Sequence, residues 1–135
     1  MREIMLAAKT ENLDKVLDFV NAQLDEIKCP AKARMQLDIA AEEIFVNIAH
    51  YAYGSQTGTA VVQIEIKEDP RAVIITFIDN GDPYDPLARS DPDITLSVED
   101  RNIGGLGVYM VKMSMDSVSY EYKYGQNIFK IQKKI

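Results

Sequence analysis

The sequence predicts an α+β fold: a two-layer sandwich whose mixed, mostly antiparallel sheet carries its helices on one face. Three observations point there. Apolar periodicities run in the order βααββ, then an irregular stretch, then αββ, and strand pairs separated by helices suit a sheet covered on one side. No repeat, low-complexity tract or Pro/Gly/Ser-rich linker divides the 135 residues, so residues 1–135 read as a single domain. A composition that is 47% hydrophobic supplies one compact core.

Each element follows from local pattern. Arg2 to Ala8 is short and apolar enough for a strand. Thr10 or Asn12 then offers a side-chain oxygen to cap a helix whose apolar residues Leu13, Val16, Leu17, Val20, Leu24 and Ile27 define one face. Pro30 suits the first turn of a second helix, where its missing N–H costs nothing. Met35, Leu37, Ile39, Ile44, Phe45 and Ile48 make that helix apolar on more than one side, which predicts a central, well-buried position. Gly54 to Gly58 is a turn, Val61 to Lys67 alternates in polarity, and Ala72 to Ile78 is β-branched and nearly continuous, as an interior strand is. From Asn80 to Asn102 glycine, proline and aspartate interrupt every period, and so long a stretch inside a compact domain is a functional loop or a misassigned element. Beyond Gly104-Gly105-Leu106-Gly107, the residues Val108, Tyr109, Val111 and Met113 are spaced for a short helix. Ser117 to Tyr124 and Asn127 to Gln132 are two last strands joined at Gly125.

Charge and cysteine content exclude several classes. Fifteen Lys and Arg against 21 Asp and Glu give a net charge of −6, and without a basic run the chain lacks the footprint that nucleic acid or an anionic membrane requires. The apolar runs are far shorter than the roughly 20 residues that span a bilayer. Met1-Arg2-Glu3 does not begin a signal peptide, so a cytoplasmic, soluble protein is expected. A single cysteine, Cys29, and a single histidine, His50, form no zinc-type cluster, and Cys29 reads as buried filler before Pro30.

Three patches carry polar chemistry. Glu43 and Asn47 are four apart and share one helical face; their oxygens suit a hard cation such as Mg2+, or a base beside a metal ligand, and equally a solvated stripe. Asp79 closes an apolar strand, where its carboxylate can accept from an exocyclic amino group such as adenine's while Gly81 lets a ligand approach the backbone. Asp-Asn-Gly-Asp-Pro is also the composition of a plain turn. Gly104, Gly105 and Gly107 allow backbone N–H groups at a helix start to converge on phosphate oxygens, or serve as a hinge. The segment is neither a Rossmann fingerprint nor a P-loop.

Taken in order, E-x-x-x-N on a helix, D-x-G after a strand, and G-G-x-G before a helix resemble the Bergerat-type ATP-binding fold. Gyrase, heat-shock protein 90, sensor histidine kinases and mismatch-repair MutL proteins share it. The short stand-alone form is similar to the bacterial anti-sigma-factor serine/threonine kinases, and the resemblance spans almost the whole chain. It implies Asn47 as a Mg2+ ligand, Glu43 as general base on a Ser or Thr hydroxyl, and Asp79 with Gly81 at adenine. The segment Gly104, Gly105, Leu106 and Gly107 would take the phosphates. Asn127 would complete the adenine site, where that family more often has Thr. The family tends to have His where this chain has Tyr51, which leaves His50 outside the site. The Asn80 to Asn102 loop, with Arg89 and Arg101, would be a lid over the nucleotide.

The function so implied is an ATP- and Mg2+-dependent kinase that sequesters a sigma factor and phosphorylates a small anti-anti-sigma partner, working as a homodimer. One alternative keeps nucleotide binding and sequestration without productive phosphotransfer. Another, a detached histidine-kinase catalytic module, needs a helical domain carrying a phospho-accepting His.

Overall fold

The computed structural model describes residues 1–88 and 105–135. Alternation along the strands decides its layering. In β3 (Ala72–Asp79), Val73, Ile75, Phe77 and Asp79 are buried on one face while Ile74, Thr76 and Ile78 lie half-buried on the other. The same phase recurs at Ala60, Val62 and Ile64 of β2 (Thr59–Lys67) and at Asn127, Phe129 and Ile131 of β5 (Gln126–Lys134). With β1 (Arg2–Ala7) and β4 (Ser117–Lys123) these strands form a five-stranded sheet in the order β1-β2-β3-β5-β4. Every pairing is antiparallel, which settles the expectation of a mixed or antiparallel sheet, and β3 is central.

The helices cover the buried face. Val16, Val20 and Leu24 of α1 (Leu13–Glu26) are fully buried, as the three-and-four spacing requires. From α2 (Ala31–Tyr51), Ala33, Leu37, Ala40, Ala41, Ile44, Phe45 and Ile48 join one core with Val111 and Met115 from α3 (Gly105–Ser114) and its C-terminal end. Burying each large side chain contributes about 1.5–3 kcal/mol relative to leaving it in water. No helix among the described residues is long and apolar enough to cross a membrane.

Three local expectations change. Met35 and Ile39 are 58% and 45% exposed, because α2 buries one side, through Leu37, Ala40, Ala41, Ile44, Phe45 and Ile48, and leaves its second apolar side in solvent. Asn12 makes no side-chain cap for α1; it follows a single 3-10 turn (Thr10–Asn12) and its Nδ2 donates instead to Ala7 O at 2.8 Å, tying the helix start to β1. Pro30 stands just before α2, as its N-cap.

At the other end of α1, Lys28 takes a left-handed φ of 53° and lets the chain close on itself. Lys28 N–H donates to Asp25 O at 3.1 Å and Cys29 N–H to Leu24 O at 3.0 Å, the pair of bonds of a Schellman cap. The buried Cys29 is the apolar residue such a cap places over the helix end. The Arg71 guanidinium donates to Ile27 O and takes up another carbonyl of the same terminus.

Candidate functional site

One end of the central strands collects the polar residues. Because alternation puts Asp79 on the helix side of β3, its register partner on β5, Asn127, lies on that side too. These two are the buried polar residues among those described. Asn127 Nδ2 donates to Asp79 Oδ1 at 2.9 Å, and Gly81 N–H donates to the same oxygen at 2.9 Å. Both of these bonds use Oδ1, and no hydrogen bond engages Oδ2 among the described residues. Asn127 Nδ2 also reaches Asp82 O at 2.9 Å, while its Oδ1 accepts from Tyr84 N–H at 3.2 Å and from the Tyr120 hydroxyl. Its carboxamide is thereby fully engaged within the protein, as a brace between β5 and the segment after β3. Burial pushes the Tyr120 phenol up, which keeps it a hydrogen donor.

A small cleft opens beside this pair, between α2 and the sheet end. Ile44, Asn47 and Tyr51 line it from α2, Asp79, Asn127 and Tyr120 from the sheet, and Tyr84 from the loop. The Tyr51 and Tyr84 rings are 5.9 Å apart, tilted by 34°. His50 is exposed, with its ring perpendicular to that of Tyr51, and is not among the lining residues.

Gly81 and Tyr53 hold the mouth of the cleft to α2. A Cβ at Gly81 would lie 2.0 Å from Ala52 O, which accepts the neighbouring Asp82 N–H at 2.9 Å. The space that the sequence reading gave to a ligand is therefore filled by the end of α2. The Tyr53 ring lies where a Cβ on Gly58 would be, 2.2 Å away. Its hydroxyl donates to Thr59 O at 2.5 Å and accepts from Asn80 N–H at 2.8 Å, so one side chain ties α2's end to the start of β2 and the end of β3.

The second carboxylate lies one helical turn before Asn47. Asn47 Nδ2 donates to Glu43 Oε1 across a long 3.4 Å, which leaves the Asn47 carbonyl oxygen as a donor for a hard cation. Glu43 is half-buried; burial pushes its carboxyl above the usual carboxylate range, the Asn47 bond opposes this, and Glu42 adds to it. Against it stands α3: a Cβ on Gly107 would lie 2.1 Å from Glu43 Cδ. Gly105, Leu106 and Gly107 form the first turn of that helix, whose amide end favours anions. Gly104, Arg89 and Arg101 lie outside the described residues. Among the described residues no group of three or more His, Cys, Asp or Glu gathers.

The structure thus brings Asp79, Asn127 and Asn47 to one cleft, with Glu43 between Asn47 and Gly107. Tyr84 and Tyr120 were not singled out from the sequence. For Tyr120 a signal existed, since Val118 and Tyr120 share a period of two across β4.

Residues 6–133 match the model of the histidine kinase-like ATPase domain. The chain belongs to that family. Over 97 residues it is 29% identical to the serine/threonine-protein kinase BtrW of Bordetella bronchiseptica, covering 72% of this chain and 68% of that protein. It is 31% identical over 97 residues to the serine-protein kinase RsbW of Listeria monocytogenes, covering 68% of this chain and 60% of that one. Among solved structures, the histidine kinase AdeS of Acinetobacter baumannii aligns over 99% of this chain and 68% of its own, at 15% identity and a TM-score of 0.46. In this histidine kinase-like ATPase domain, the family's ATP is the ligand against which the cleft has to be read.

Proposed function

We propose that this chain is an ATP- and Mg2+-dependent protein serine/threonine kinase of the anti-sigma-factor type. The observation that carries this reading is the line of side chains from Asp79, braced by Asn127, through Asn47 to Glu43 against the first turn of α3. Each end of a nucleotide then has a chemically suited neighbour. Asp79 Oδ2 accepts from the exocyclic amino group of adenine, and Tyr51 and Tyr84 offer ring faces at the rim. The amide end of α3 receives phosphate oxygens. Asn47 holds Mg2+ through its carbonyl oxygen, and the ion supplies neutralisation of phosphate charge.

Glu43 acts last. The acceptor hydroxyl oxygen bonds to the γ-phosphorus, the bond from that phosphorus to the bridging oxygen breaks, ADP leaves, and the hydroxyl proton passes to Glu43. A carboxyl raised by burial is the better proton acceptor for this step. The acceptor we propose is a Ser or Thr on a small anti-anti-sigma protein, with a sigma factor held in alternation by a cytoplasmic homodimer of this chain. The names of BtrW and RsbW support the kinase part of this reading.

Calorimetric titration of ATP and ADP with Mg2+ into the wild type and Asp79→Asn tests the site, and transfer to candidate partners by Glu43→Gln tests the chemistry. Binding lost in Asp79→Asn and transfer lost in Glu43→Gln with binding kept is the expected pair. Binding without any transfer by the wild type would replace the kinase with a nucleotide-gated sequestering module. A folded wild type that binds no nucleotide at millimolar concentration would end both.

A further inference from the structure

Gly107 is the third residue of α3, and its backbone is not in the left-handed region that calls for glycine. With helical backbone alanine is the better residue. A glycine that local conformation does not require points to something occupying the volume of its missing side chain. Here that volume holds the Glu43 carboxylate: a Cβ on Gly107 would stand 2.1 Å from Cδ, 2.2 Å from Oε1 and 2.4 Å from Oε2. The same carboxylate receives the long bond from Asn47, so its place is defined from α2 on one side and from α3 on the other.

We propose that Gly107 is the positioning residue of Glu43: its bare Cα is the seat that holds the carboxylate at the first turn of α3, beside the Asn47 amide. This rests on the reading of Glu43 as the base for phosphoryl transfer. The seat gives the third glycine of the Gly-Gly-Leu-Gly segment a task separate from contact with phosphate. It also couples the base to α3, so that displacement of that turn displaces the proton acceptor.

Gly107→Ala is a clean probe, because the atoms in its way are the far end of a flexible side chain and α3 gains a better helix former. The added methyl swings Glu43 out while the fold persists. Three readouts follow. In the nucleotide-free protein, the Asn47 side-chain amide resonances of Gly107→Ala shift in the direction seen for Glu43→Ala, as the bond to Oε1 is lost. Transfer by Gly107→Ala falls by about tenfold to a hundredfold, the cost of a misplaced reacting group. Adding Glu43→Asp, whose carboxylate is one methylene shorter, raises transfer above that of Gly107→Ala alone. Unmoved Asn47 resonances or no gain in the double variant would each overturn the seat. Should Glu43→Gln retain transfer, the base reading fails by itself, and the Asn47 resonances still decide whether Gly107 seats the side chain.

Discussion

Asn127 Nδ2 donates to Asp79 Oδ1 at 2.9 Å across the register of β3 and β5, and both residues are buried. Asn127 therefore fixes the rotamer of the carboxylate that lines the cleft, and through Asp82 O and Tyr84 N–H it also fixes the segment leaving β3. Asn127→Ala would strand these partners in a buried place, at about 1–3 kcal/mol for an unsatisfied group. Urea unfolding is expected to show a loss of that order together with weaker ATP binding. Asn127→Thr, which keeps one donor for Asp79, should recover part of both; if alanine and threonine behave alike, the brace does not depend on hydrogen bonding.

The Schellman cap of α1 offers an opposite case. Lys28 holds φ at 53°, where a Cβ is strained and glycine is not. Lys28 is exposed and its backbone carries the cap, so replacing the side chain sacrifices little. Lys28→Gly is expected to stabilise the protein by about 0.5–1 kcal/mol, the strain relieved less the entropy glycine adds to the unfolded chain. A higher midpoint in urea with an unchanged slope would register it, and a lower midpoint would refute it.

Why the cap was not legible while the architecture was is a matter of range. Spacing of four at Val16, Val20 and Leu24, and of two at Val73, Ile75 and Phe77, is written into neighbouring residues, so helices, strands and the central place of β3 could be read directly. Asp79 and Asn47 were legible as pocket residues for the same reason, each closing or breaking such a pattern. Met35 and Ile39 misled because counting apolar residues on α2 cannot say that Ala40 and Ala41 are buried while they are not. The contacts of Tyr120 with Asn127 and of Glu43 with Gly107 depend on cross-strand register and on how α3 meets α2, which no local period contains.

Tyr53 joins three elements with one hydroxyl. Tyr53→Phe keeps the ring over Gly58 and removes only the partner of Thr59 O and Asn80 N–H. Both groups lie near solvent, so water replaces much of what is lost, and the cost should be near about 1 kcal/mol, the net worth of an ordinary hydrogen bond. Hydrogen exchange gives the sharper reading: the Asn80 amide is expected to lose protection while amides in mid-β3 keep theirs. Uniform loss along β3 would mean that the hydroxyl supports the whole sheet.

Glu43 should make the protein less stable as it ionises. Burial raises its carboxyl above the ordinary value near about 4.3, with the Asn47 bond only partly offsetting this. Below that ordinary value the group is protonated in both folded and unfolded chains and costs nothing. As pH rises toward the raised folded value the unfolded chain releases its proton first, the folded state binds more protons, and stability falls with pH. Above the folded value the penalty is complete and constant. Glu43→Gln cannot ionise, so its melting temperature is expected to match the wild type at acidic pH and to exceed it at neutral pH, the gap opening through that window. Asp38, whose carboxyl burial also raises, is common to both proteins and cancels in the comparison. Melting curves of the two proteins across this range, with equal curves at neutral pH as the refuting result, decide whether the carboxylate is held against its solvation preference for the sake of the chemistry beside it.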